Sequence, residues 1–165
     1  MLHIYCGDGK GKTTAALGLA LRAAGSGMQV CIIQFLKGAP TSELHALARI
    51  PEITVKRCDK NYGFTFSMDA ATKEQLTACH NRLLDYAMRC DCDLLILDEF
   101  FPAYAQDLLD RTVAARLVLG WQKELVLTGR DPGESFLARA DYVSEIHAVK
   151  HPYTKGISAR EGIEF

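Results

Sequence analysis

The stretch Cys6-Gly7-Asp8-Gly9-Lys10-Gly11-Lys12-Thr13-Thr14 constrains the fold more than any other. A short apolar run at 2–5 precedes it, and a helix-forming run at 15–24 follows. The order is therefore strand, glycine-rich turn, helix. Gly11-Lys12-Thr13 matches the end of a P-loop, where backbone N–H groups wrap phosphates, the lysine reaches phosphate oxygens and the hydroxyl meets Mg²⁺. Helix N-termini favour anions, because their first N–H groups are unpaired and the dipole end is positive. The pattern asks for glycine five residues before Gly11, where this chain has Cys6. Gly7 and Gly9 are placed to supply the backbone freedom instead.

The rest of the chain agrees with an α/β fold of the P-loop NTPase-like, three-layer kind, with a mostly parallel sheet of about six strands. At 165 residues the chain reads as a single domain, 1–165, with room for a real core. The helix after the loop, 12–24, is apolar on almost every side and is expected to be buried against the sheet. The run 30–36 is continuously apolar, as in a central parallel strand. A loop at 37–40, a short helix at 42–50 and a strand at 53–57 follow. Asn61-Tyr62-Gly63-Phe64-Thr65-Phe66-Ser67 sets three aromatics among turn residues, outside any helical or strand period. Asp69 is placed to cap the next helix, whose apolar stripe is Leu76, Cys79, Leu83 and Tyr86. A strand at 94–97 runs into Asp98-Glu99. A helix is expected at 106–119, and a buried strand at 125–127 precedes Thr128-Gly129-Arg130. Asp131-Pro132-Gly133-Glu134 reads as a helix start, with Asp131 as N-cap, and the helix runs to 140. Residues 142–149 alternate like an edge strand.

Net charge of -1 argues against a general nucleic-acid or membrane-surface binder. No apolar run is long enough to span a bilayer. Met1-Leu2-His3 enters the first strand directly, without a signal peptide, so a cytoplasmic location is expected. The six cysteines then read as reduced thiols. Cys90-Asp91-Cys92 is C-x-C without a matching second pair, a poor zinc pattern. His3, His45, His80, His147 and His151 show no ligand spacing.

In an α/β sheet, ligands sit at the carboxyl ends of the strands. The P-loop, Asp98-Glu99 and Thr128-Gly129-Arg130 all follow strands and should converge there. Asp98-Glu99 resembles a Walker B pair, whose carboxylate joins Thr13 around Mg²⁺. Arg130 adds a fixed positive charge. On these residues alone, two readings stay open: phosphoryl transfer or NTP hydrolysis with Glu99 orienting the nucleophile, or a non-catalytic nucleotide-binding module.

Taken together, the motifs resemble the P-loop type ATP:corrinoid adenosyltransferases, also called cob(I)yrinic acid a,c-diamide adenosyltransferases. The resemblance runs through the loop at 7–16, Gln34-Phe35-Leu36-Lys37-Gly38, Gly63-Phe64-Thr65-Phe66, Leu97-Asp98-Glu99 and Thr128-Gly129-Arg130. It ends in 140–145, Val149-Lys150-His151 and Gly162-Ile163-Glu164-Phe165. A non-glycine residue at the position of Cys6 is usual in the family. The resemblance implies that a corrinoid reduced to Co(I) attacks the 5′ carbon of ATP, triphosphate leaves and a cobalt–carbon bond forms. Co(I) is already a strong nucleophile, so no general base is implied.

Carried over by motif, Gly7, Asp8, Gly9, Lys10, Gly11, Lys12, Thr13 and Thr14 bind the triphosphate. Thr13 and Glu99 hold Mg²⁺ with Asp98 nearby, and Arg22 and Arg130 match arginines near the nucleotide. Phe64 and Phe66 match an aromatic pair that packs under the corrin and keeps a lower ligand off cobalt. Lys12, Phe64 and Phe66 are thus the implied catalytic residues. ATP, a reduced corrinoid, an electron donor such as a flavoprotein and a second copy in a homodimer are the implied partners. The chain departs from the family pattern at Phe66, where the family often has Trp, and at Asp131-Pro132. It also lacks the N-terminal arm that many members carry before the first strand.

Overall fold

The computed structural model describes residues 1–63 and 65–164. Its strands are β1 (Leu2–Cys6), β2 (Val30–Gln34), β3 (Ile53–Arg57), β4 (Leu94–Asp98), β5 (Glu124–Thr128) and β6 (Tyr142–Glu145). Among the described residues they form one six-stranded sheet in the order β3-β2-β4-β5-β1-β6. Every pairing in it is parallel. The helices are α1 (Lys12–Gly25), α2 (Glu43–Leu47), α3 (Ala70–Arg89), α4 (Phe100–Ala105), α5 (Arg111–Gly120) and α6 (Glu134–Leu137). Short 3₁₀ turns cover Thr65–Ser67 and Pro152–Lys155.

The central strands are apolar throughout because helices cover both faces. Residues of β2 and β4 alternate between two cores. Val30, Ile32, Leu94 and Ile96 meet Ala16, Ala20, Ala23 and Ala24 of α1. Cys31, Ile33, Leu95 and Leu97 meet Leu76, Leu83, Leu84 and Ala87 of α3 and Ala114, Leu117 and Val118 of α5. This is a three-layer α/β sandwich. The edges differ: β6 is exposed along its whole length, and β3 buries only Ile53 fully.

Four expectations need correction. First, α1 is buried along one stripe only. Its small alanines let it lie close to the sheet, while Leu21 on the far side is 50% exposed. Second, the helix expected at 106–119 starts only at Arg111, and a separate, unexpected helix, α4, precedes it. Glu99 takes a left-handed φ of 55° and α4 starts at once. A second left-handed residue, Asp107, ends that segment, Leu108 and Leu109 plug the core, and Asp110 caps α5 by accepting from the Val113 N–H. Third, Asp131 caps a turn by accepting from the Gly133 N–H. α6 starts only after Gly133, at φ 68°, and ends at Leu137. Fourth, Cys58 and Cys79 form a disulfide, so not all the cysteines are free thiols. Cys58 directly follows β3, and the inward stripe of α3 carries Cys79 across it. Asp69, by contrast, caps α3 as expected, accepting from the Thr72 N–H at 2.7 Å.

Candidate active site

At the carboxyl rim of the sheet, the loop after β1 turns into α1 through Gly11, whose φ of 122° suits glycine. No side chain caps α1, so its first N–H groups point into the loop with the positive end of the helix dipole behind them. Lys12 Nζ folds back and donates to the Gly7 and Gly9 carbonyls, both at 2.8 Å. The loop is thus closed around its own lysine.

Behind the loop runs the segment that leaves β6. The Gly9 N–H donates to the Ile146 carbonyl at 2.7 Å, and the Ile146 N–H donates to the Cys6 carbonyl at 2.9 Å. A Cβ on Gly7 would lie 2.4 Å from the Ile146 oxygen. Asp8 turns its carboxylate to the same segment and accepts from the Ala148 N–H at 3.3 Å. That bond is the main cause holding its carboxyl below the usual range. Asp8 therefore pins the back of the loop.

The second centre is Asp98, 1% exposed at the end of β4. Its Oδ1 accepts from the Thr13 hydroxyl at 2.9 Å and from the Thr128 hydroxyl at 2.7 Å. Its Oδ2 accepts from Lys37 Nζ at 2.6 Å. Lys37 also donates to Thr13 Oγ1 at 3.2 Å. A cation therefore already faces the hydroxyl and carboxylate oxygens that a P-loop offers to Mg²⁺, and this donor set suits a hard divalent cation. Thr128 accepts from the Glu99 N–H at 2.9 Å and so fixes the turn after β4. Burial, then the neighbouring Asp98 charge, pushes the Glu99 carboxyl up; Lys37, Lys12 and Arg130 pull the other way.

The expected residues are gathered unequally. Gly7, Gly9, Lys12, Thr13, Asp98 and Glu99 meet at one rim. Arg130 joins it through its backbone, whose carbonyl accepts from the Gly7 N–H at 3.0 Å. Lys10 and Thr14 lie in the loop and the first turn, Lys10 exposed beside the Glu164 charge. Arg22 is exposed in the last turn of α1, ten residues beyond Lys12, and its charge acts on Tyr5 near the end of β1. Phe66 is 86% exposed in its 3₁₀ turn, not tucked into the core. Phe64 lies outside the described residues.

Two contributors were missed. Lys37 follows a strand at the carboxyl rim, the same signal that picked out Asp98. His80 gives no such signal: it is fully buried on α3, and its Nε2 accepts from the Leu36 N–H at 3.2 Å. It thereby steadies Leu36, whose φ is 57°, directly before Lys37.

Burial pushes the His80 imidazole down to about 4. An unfolded chain takes up this proton near 6.5. As pH falls through that range, the unfolded state binds a proton the native state refuses. The stability from neutral His80 is whole above about pH 6.5 and is lost progressively toward pH 4. The difference amounts to about 3 kcal/mol. Urea midpoints should fall over this window in the wild-type chain, and His80→Gln should remove most of that slope. An unchanged slope in the variant would assign the pH dependence elsewhere.

A family model described as ATP:corrinoid adenosyltransferase BtuR/CobO/CobP matches residues 1–165. The chain is 35% identical to a corrinoid adenosyltransferase of Escherichia coli strain K12, over 100% of this chain and 85% of that protein. It is 35% identical to the corrinoid adenosyltransferase of Pseudomonas aeruginosa strain PAO1, over 100% and 83% respectively. Corrinoid adenosyltransferase CobA of Salmonella typhimurium strain LT2 is 33% identical, over 100% and 85%. These similarities extend from the loop through the last strand, and the six-stranded parallel sheet with its P-loop rim agrees with them. The chain belongs to the ATP:corrinoid adenosyltransferase family.

Proposed function

We propose a division of labour at this rim for the reaction of the family, transfer of the adenosyl group from ATP to a corrinoid. The loop at 7–14 and the free N-terminus of α1 grip the triphosphate. Lys12 leaves the Gly7 and Gly9 carbonyls and turns to the phosphate oxygens. Thr13, Asp98 and Glu99 are the residues that would hold Mg²⁺, which supplies positive charge against the triphosphate. Lys37, now on Asp98, is the internal cation that must yield to it. Arg130 adds charge at the same edge, and Arg22 is the second arginine assigned to the nucleotide.

The bond changes need no proton transfer. Co(I) gives two electrons to the 5′ carbon, the C5′–O bond breaks, and its electrons leave with the triphosphate. The observation that carries this reading is Asp98, whose two oxygens are occupied by Thr13, Thr128 and Lys37. It is built to organise charge, not to abstract a proton. Positioning of the two reactants can contribute on the order of 7–11 kcal/mol, and preorganised cations stabilise the leaving group. Phosphorus NMR of the products tests this reading. Intact triphosphate supports it; ADP with phosphate supports attack at the γ-phosphate.

Phe64 and Phe66 form the corrin-facing wedge in this proposal, with residues 1–165 acting as one nucleotide-binding unit. Phe66, the described member of this pair, is 86% exposed in its turn. Phe66→Ala should slow the reaction from cob(II)alamin plus reductant more than the reaction from pre-reduced cob(I)alamin. Equal losses with both would remove the wedge role. An electron donor such as a flavoprotein, a cytoplasmic setting and a homodimer complete the proposal. Light scattering on the purified chain tests the dimer.

A further inference from the structure

Three thiols meet at the opposite rim of the sheet, away from the nucleotide loop. Cys31 is the second residue of β2, Cys90 closes α3, and Cys92 leads into β4. Two bonds hold the connection between α3 and β4 against the start of β2. The Asp93 N–H donates to the Gln29 carbonyl at 2.8 Å, and the Gln29 N–H donates to Asp93 Oδ2 at 2.9 Å. The result is a sulfur-centred nest. The Cys31 and Cys90 side chains both neighbour the Cys92 thiol. Cys31 and Cys92 are buried, Cys90 is half-buried, and a cleft of about 340 Å³ bordered by Thr54, Tyr86 and Arg89 opens onto all three.

We propose that Cys92 is a modification site for small oxidants of the peroxide class, with Cys31 as the thiol that resolves the oxidised form. The three thiols line one cleft, so an oxidised Cys92 has partner thiols beside it, and the thiolate is the nucleophile of cysteine chemistry. The charges around the cleft are Arg89, Asp91, Asp93 and Lys123. Lys123 pairs with Asp91 at 3.0 Å and Asp93 at 3.4 Å and also helps Cys92. Led by the Cys31 thiol, these contacts hold the Cys92 thiol down at about 7, while Cys31 and Cys90 are pushed up. A thiol that ionises near ambient pH combines thiolate fraction with nucleophilicity.

The steps balance with hydrogen peroxide as oxidant. The Cys92 thiolate attacks one peroxide oxygen, the O–O bond breaks, and sulfenic acid and hydroxide form. The Cys31 sulfur then attacks the Cys92 sulfur and the S–O bond breaks. The departing oxygen and the released hydroxide take up protons as water. Two thiols and one peroxide give one disulfide and two waters. This chemistry is independent of the adenosyl-transfer reading. Among the described residues no group of three or more His, Cys, Asp or Glu is arranged to hold a metal ion.

Trypsin separates the partners, because Cys31 falls in peptide 23–37 and both Cys90 and Cys92 fall in peptide 90–111. The full-length chain is treated with one equivalent of hydrogen peroxide, alkylated in denaturant and digested without reductant. Mass spectrometry should find the two peptides cross-linked and Cys6 alkylated. Cys92→Ser should abolish the link. In the untreated native chain, iodoacetamide should modify Cys92 at least about tenfold faster than Cys6, which is equally buried but pushed up and outside the cleft. This comparison needs no variant to fold. A link that survives in Cys92→Ser, a bridge confined to peptide 90–111, or equal alkylation of Cys92 and Cys6 would overturn the proposal.

Discussion

Lys12→Ala should lower turnover by at least about 10²-fold at saturating ATP and reduced corrinoid, with a smaller effect on folding. The lysine is held within the loop by two carbonyls at 2.8 Å, and in the proposed reaction it turns from them to the phosphate oxygens. Removing one preorganised donor from a site where charge develops typically costs 10²–10³ in rate. The negative charge on the triphosphate grows as the C5′–O bond breaks, so the loss should fall on kcat. Equilibrium binding of ATP measured by calorimetry should weaken less than kcat falls. A near-normal kcat would show that Lys12 is not what neutralises the leaving group.

Gly7→Ala should be the most damaging single methyl group in the loop. At φ 99° an L-residue is strained, and the new Cβ would sit 2.4 Å from the Ile146 carbonyl oxygen. That oxygen belongs to the segment that also bonds Cys6 and Gly9, so it cannot yield without uncoupling the exit of β6 from the loop. Strain and displacement together should cost on the order of 3 kcal/mol. For a chain of this size that lowers the melting temperature by roughly 6–12 °C. ATP affinity should fall with it. Gly11→Ala is the control: its φ of 122° is also strained, but its Cβ would meet open space. It should cost about 1–2 kcal/mol. Equal effects of the two substitutions would mean that the contact with Ile146 carries nothing.

The parts legible in the sequence were those in which neighbours along the chain decide. An apolar strand running into glycines and then a helix announces the loop, and an apolar strand ending in Asp98-Glu99 announces the second half of the site. The missed features depend on distant partners. Lys37 gains its role from Asp98 and Thr13, 61 and 24 residues away. His80 gains its role from a backbone amide on another element. The break at Asp107 escaped because Leu108 and Leu109 keep a helix-like apolar pattern while the core pulls them out of the helix. The Asp131 cap failed because Gly133 takes a left-handed turn that delays α6. Asp8 and Gly9 read as phosphate ligands, and in the fold both also hold the loop to the strand exit behind it. Cys58–Cys79 had no spacing rule to reveal it, since only the crossing of α3 over β3 brings the two together.

The most direct test of the central claim follows the fate of one carbon. ATP labelled with ¹³C at the 5′ position is mixed with Mg²⁺, chemically reduced cob(I)alamin and the full-length protein. The account predicts a corrinoid whose labelled carbon is bonded to cobalt, formed one-to-one with intact inorganic triphosphate. Label that stays on ADP, or ATP consumed without any labelled alkyl-corrinoid, would contradict it.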